Sequence, residues 1–123
     1  MIKMNYKTLV IGASEKRSRY ANRAILALLE KQHDVTAVGK RKGHVSGVEI
    51  VTKPQKGTDI HTVTLYINPS LQKEYEDYLL QLKPERVIFN PGTENPDLQK
   101  KLKAAGIDAL EACTLVLLAT NKY

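Results

Sequence analysis

The segment Gly12-Ala13-Ser14-Glu15-Lys16-Arg17-Ser18-Arg19 has residue types that suit an anion site. Gly12 lets the backbone turn tightly, Ala13 and Ser14 are small enough for a ligand to approach, and Lys16, Arg17 and Arg19 add positive charge. The segment runs directly into a stretch with helical spacing. Free N–H groups at a helix start, helped by the helix dipole, favour a phosphate. The competing reading is a tight turn followed by a solvated basic loop. A second basic segment, Gly39-Lys40-Arg41-Lys42-Gly43, follows a β-rich run. NAD-binding sheets place an acidic residue there for the ribose diol. Basic residues fit a ribose that itself carries a phosphate, as in NADP or coenzyme A. A charged surface turn is the plainer alternative.

Two more segments stand where strands give way to helices: Tyr66-Ile67-Asn68-Pro69 and Asn90-Pro91-Gly92-Thr93. They suit the flank of an extended ligand, through side-chain amides or exposed backbone, and equally suit ordinary helix-entry turns. Other chemistry finds little support. The first loop has one glycine where the dinucleotide fingerprint needs three, and neither a Walker A sequence nor a G-x-S-x-G elbow is present. His33, His44 and His61 are far apart and Cys113 has no second thiol, so no metal-ligand spacing exists. Glu94 and Glu111 do not by themselves make an acid–base pair. No catalytic or metal-binding residue is therefore assigned. Cys113 reads either as an inert buried cysteine or as a thiol near the far end of a ligand.

The elements that must position these loops are legible. Thr8–Gly12 reads as a buried first strand. Ala21, Ala24, Ile25, Leu28 and Leu29 form one face of a helix, with Ser18 as its expected N-cap. Strands are expected at 34–38, 48–51, 62–67, 86–89 and 107–110. A helix opens at Asn68-Pro69 with Leu71, Tyr75, Tyr78, Leu79 and Leu82 inward, and Pro84 ends it. Asn95-Pro96 opens another, carrying Leu98, Leu102 and Ala105, with Gly106 at its C-cap. Leu115–Ala119 remains as an apolar tail that could pair with a neighbouring molecule. Alternating strands and helices imply right-handed crossovers and a single α/β domain over residues 1–123. Its fold would be three-layer, Rossmann-like and doubly wound, with a mainly parallel sheet. Ligands of such sheets sit outside the carboxyl ends of the strands.

Composition limits the partners. The 123 residues carry 19 Lys+Arg against 13 Asp+Glu, a net +6, so an anionic partner is expected. Leu115–Ala119 is the longest apolar run, too short for a membrane span, and Met1–Lys7 lacks the apolar core of a signal peptide. With one cysteine, a cytoplasmic location is expected. Nucleic acid is the weaker partner, because Tyr75 and Tyr78 fall on a helix stripe and not among the basic residues.

Taken in order, Val10-Ile11-Gly12-Ala13-Ser14, Arg19 with Asn22-Arg23, Gly47, the Asn90-Pro91-Gly92 turn and Cys113 resemble the coenzyme A-binding domain family. These are small stand-alone relatives of the N-terminal domain of the succinyl-CoA synthetase α subunit, and the likeness runs from Leu9 to about Cys113. It implies a Rossmann-like fold that binds the ADP part of coenzyme A across the first two loops. Gly12, Ala13 and Ser14 would meet the phosphates with Arg19 nearby, where the residue types alone also put the charge of Lys16. Val38, Gly39, Lys40 and Lys42 would surround the adenosine and its 3′-phosphate. Tyr66, Asn68, Pro69, Asn90 and Gly92 would follow the pantetheine arm. The chain departs from many members in having Gly39-Lys40 for Asn-Pro, Tyr66-Ile67 for Phe-Arg, and no proline at 15–18. The function expected is a non-catalytic module for coenzyme A or an acyl-CoA. The alternatives are a small NADP-binding oxidoreductase or fragment and, behind it, a basic nucleic-acid-binding protein.

Overall fold

The computed structural model of the protein describes residues 4–56 and 59–123. In chain order the elements are β1 (Thr8–Ile11), α1 (Tyr20–Glu30), β2 (Val35–Val38), β3 (Gly43–Val45), β4 (Val48–Val51) and β5 (Thr62–Leu65). There follow α2 (Pro69–Gln72), a 3₁₀ turn at Lys73–Tyr75, α3 (Glu76–Leu82), β6 (Arg86–Phe89), α4 (Pro96–Ala104), β7 (Asp108–Glu111) and α5 (Thr114–Ala119). One sheet runs in the order β3-β4-β2-β1-β5-β6-β7. All its pairings are parallel except β3 with β4. With β3 set aside, this is the doubly wound Rossmann order, reversing between β1 and β5. The crevice of the fold is therefore flanked by the loops after those two strands.

Both faces of the central strands are covered, which explains their unbroken apolar runs. Leu9, Ile11, Val63, Leu65, Val87 and Phe89 pack against Leu79 of α3 and Leu98 and Leu102 of α4. On the other face Val10, Ala37 and Ile50 meet Ala21, Ile25 and Leu28 of α1 and Leu118 of α5. The apolar tail thus forms a helix, with Leu118 buried in the molecule's own core. Four further details differ from the sequence reading. Residues 43–45 form an edge strand within what reads as loop: Ser46 and Gly47, with φ of 48° and 85°, make a left-handed pair that closes a two-residue hairpin. Arg19, not Ser18, is the N-cap of α1 and supplies no side-chain hydrogen bond. The helix expected across 68–82 is broken by the 3₁₀ turn, and β5 stops at Leu65, leaving Tyr66 and Ile67 to the edge.

His33 and His61 lie at the opposite, amino edge, as the topology requires. There Arg86 sits between the rings of Tyr6 and Tyr123, its guanidinium carbon 5.5 and 4.3 Å from their centroids. The Tyr6 N–H donates to His33 Nδ1 at 2.9 Å, so this nitrogen must stay unprotonated. Burial, and then the Arg86 charge, lowers the pKa of both histidines from 6.5. Their folded forms bind protons less readily than the unfolded chain. The stability they contribute is present above pH 6.5 and is lost as pH falls below it. The urea midpoint should drop between about pH 7.5 and about pH 5. His33→Asn, which keeps an acceptor for Tyr6 without titrating, should show a smaller drop; an equal drop would contradict this assignment.

Candidate functional site

The loops after β1, β2 and β5 meet backbone to backbone. The N–H groups of Gly12 and Ala13 both donate to the Val38 carbonyl, at 2.8 and 2.9 Å, and Gly39 N–H donates to Val51 O at 2.9 Å. Gly12 has φ of +97°, and a Cβ there would lie 3.0 Å from the Tyr66 carbonyl carbon and oxygen. At Gly39 a Cβ would collide with the Ala13 carbonyl oxygen. The donors of Gly12 and Ala13 are thus engaged, and these residues shape the edge without offering N–H groups to it. The N–H groups of Ser14, Glu15, Arg17 and Ser18 find no partner among the described residues. They lead into the first turn of α1, which has neither a side-chain cap nor an acidic residue. Such a turn leaves backbone N–H groups unpaired. Buried Asn22 pins this loop by donating to Ser14 O at 2.9 Å, and Ser14 Oγ accepts from Lys16 N–H at 3.1 Å.

Charge is concentrated on the same edge. Lys16, Arg17, Arg19, Lys40, Arg41 and Lys42 are all exposed. None forms an ion pair among the described residues, where the pair found is Lys101 with Glu76, on α4 and α3. Glu15 is the acid within these two loops, and its Oε2 accepts from His44 N–H at 2.9 Å. Beside this edge a cavity of about 260 Å³ runs along β2 and β4, bounded by Val38, Val51, Thr36, Glu49 and Tyr78.

The β5–β6 side is held by buried amides. Asn90 donates from Nδ2 to Thr64 Oγ1 (2.7 Å) and Leu65 O (2.9 Å), and its Oδ1 accepts from Thr114 N–H (2.9 Å). It joins β6, β5 and the start of α5, so its side chain is engaged internally. Gln72, fully buried, donates to Ile67 O at 2.9 Å and Thr93 O at 2.8 Å and accepts from Asn95. Sequence reasoning missed Gln72, although it stands seven residues before Leu79, on the buried stripe. Asn68 caps α2 by accepting from Leu71 N–H at 3.0 Å, with Pro69 at the first helical position. Asn68, Pro69 and Gly92 are exposed, whereas Asn90 is buried.

The Tyr66 ring packs against the core cluster shared with α1, and its hydroxyl is buried beside the Thr64 and Thr114 hydroxyls, which bond each other at 2.8 Å, without reaching hydrogen-bond geometry to either. Burial pushes this phenol up to about 12. Cys113, half-buried, is the N-cap residue of α5. Tyr66→Phe should change stability by less than about 1 kcal/mol, since no hydrogen bond is lost. It should also remove a phenol that ionises well above pH 10 in an ultraviolet titration. Asn90→Ala leaves two acceptors and a donor without their partner and should cost about 3 kcal/mol in urea denaturation. A loss below about 1 kcal/mol would show that the Asn90 network does not hold the edge.

Comparison with known proteins places this chain among relatives. Residues 6–119 match the model of a family described as a CoA binding domain. The crystal structure of an uncharacterised protein superposes with a TM-score of 0.94 at 42% identity, covering 98% of this chain and 99% of that one. A Thermus thermophilus protein gives 0.86 at 23% identity, covering 97% and 91%. The dinucleotide-forming acetyl-coenzyme A synthetase 1 of Ca. Korarchaeum cryptofilum, solved with phosphate and ADP, gives 0.69 at 14% identity. That match covers 89% of this chain and 26% of the synthetase chain, and the last two likenesses are of fold. No curated protein matches the chain.

Proposed function

The chain belongs to the CoA binding domain family, and from that premise we propose that it is a non-catalytic module that binds coenzyme A or an acyl-CoA at the carboxyl edge of its sheet. One observation carries the reading. Six cations without ion-pair partners among the described residues stand on two adjoining loops, beside N–H groups likewise unpaired and an uncapped helix start. A ligand with phosphates at two separated points satisfies both loops together, which a single phosphate cannot. The diphosphate is assigned to Ser14 and the start of α1, with Gly12 and Ala13 shaping the floor and Lys16 and Arg19 beside it. The adenosine is assigned to Val38 and Gly39, next to the cavity along β2, with Lys40 and Lys42 on the 3′-phosphate. The pantetheine arm would pass Tyr66, Asn68 and Pro69 and the turn at Asn90 and Gly92. The module would act in the cytoplasm, where Cys113 stays a thiol.

Thermal unfolding with coenzyme A, 3′-dephospho-coenzyme A, NADPH and ADP in parallel tests this reading. A ligand of the folded state adds about 2.7 kcal/mol at a hundredfold excess over its Kd. Coenzyme A should raise the melting temperature most. The rise should shrink without the 3′-phosphate, and Lys40→Ala with Lys42→Ala should abolish that difference. A shift with NADPH alone would replace this reading with the oxidoreductase one, and no shift with any ligand would overturn it.

A further inference from the structure

We propose that Glu15 is the positioning residue that fixes the spacing of the two phosphate-gripping loops, and so makes the site selective for a ligand phosphorylated at two separated points. The proposal rests on the coenzyme A reading of the edge. Within the segments 12–19 and 39–44 Glu15 is the sole acid among six cations. In a basic rim a carboxylate opposes an anionic ligand, so its presence calls for a compensating role. Its geometry supplies one. Glu15 forms no ion pair with its basic neighbours among the described residues. Instead its Oε2 accepts from His44 N–H at 2.9 Å, reaching from the loop after β1 to the start of β3.

β3 begins immediately after Lys40, Arg41 and Lys42, so anchoring His44 anchors the far end of the basic loop. The near end is already fixed, at Gly39, by the contact with the Ala13 backbone and by the Val51 carbonyl. The basic loop is thus held at both ends to structure shared with the α1 start. Gly43 completes the latch. A Cβ at that position would collide with the Glu15 carboxyl carbon and Cγ, so the glycine is what lets the side chain lie down on β3. Without the latch, Lys40–Lys42 would keep their charge and lose their register, and a second phosphate would be attracted without being selected.

The two roles of Glu15, charge and hydrogen bond, can be separated. Glu15→Gln removes the charge but keeps an oxygen that can accept from His44 N–H. Glu15→Ala removes both. Gly43→Ala displaces the carboxylate while leaving it in the protein. Titration calorimetry with coenzyme A and with 3′-dephospho-coenzyme A gives a ratio of Kd values for each variant, with circular dichroism confirming the fold. Glu15→Gln should keep the wild-type ratio and bind coenzyme A roughly threefold more tightly, as a nearby like charge is removed. Glu15→Ala and Gly43→Ala should each reduce the ratio roughly tenfold, or to unity where the wild-type ratio is smaller, the size expected for losing a charged hydrogen bond. If the wild type discriminates and all three variants keep its ratio, Glu15 has no positioning role and the coenzyme A reading stands. If Glu15→Gln loses selectivity along with Glu15→Ala, the charge and not the latch is responsible, and the proposal fails. If the wild type binds neither ligand, the coenzyme A reading itself fails and this proposal falls with it.

Discussion

The carboxyl edge depends on two stretches of backbone being allowed to touch. The Val38 carbonyl accepts from both Gly12 and Ala13, and the Gly39 Cα lies against the Ala13 carbonyl. A side chain at Gly39 would force these two loops apart, and one at Gly12 would press on the Tyr66 backbone after β5. Because the two loops stay together, the two basic segments, far apart in the chain, share one rim. The same contact engages the first two donors of the loop. The unpaired N–H groups therefore begin at Ser14, closer to the helix whose dipole would assist them.

The molecule treats positive charge differently at its two edges. On the carboxyl edge Lys16, Arg17, Arg19, Lys40, Arg41 and Lys42 remain in water, where leaving a cation without a protein partner costs little. On the amino edge Arg86 is enclosed between Tyr6 and Tyr123, donates to Thr62 Oγ1 at 2.8 Å, and shares these rings with His33 and His61. A guanidinium in that position gains from the ring faces. It also disfavours a second cation nearby, in keeping with the lowered pKa of His33 and His61. The exposed edge is thus suited to recruiting an anion, and the enclosed edge to holding the ends of the strands.

The parallel strands and the crevice were legible because continuous β-branched runs and amphipathic spacing are local signals, and the strand order follows from connection rules. The Ser46-Gly47 hairpin was not, since a Ser-Gly pair beside three basic residues looks like any surface loop. Nor could the sequence reveal that the Gly12 and Ala13 donors face Val38, or that the Asn90 amide is directed at Thr64, Leu65 and Thr114. Each of those bonds joins residues more than twenty positions apart, and only the folded chain brings them together. Glu15 illustrates the same limit. In sequence it is an acid in a basic run, and its bond to His44 spans 29 positions.

The most direct test of the account is a titration of isotopically labelled protein with coenzyme A, followed through the backbone amide resonances. The account predicts saturable shifts concentrated at Ser14–Ser18, the first turn of α1 and residues 39–44, with Arg86, His33 and His61 unmoved. Shifts centred on the amino edge, or small shifts spread over every exposed lysine and arginine, would contradict a site at the ends of β1 and β2.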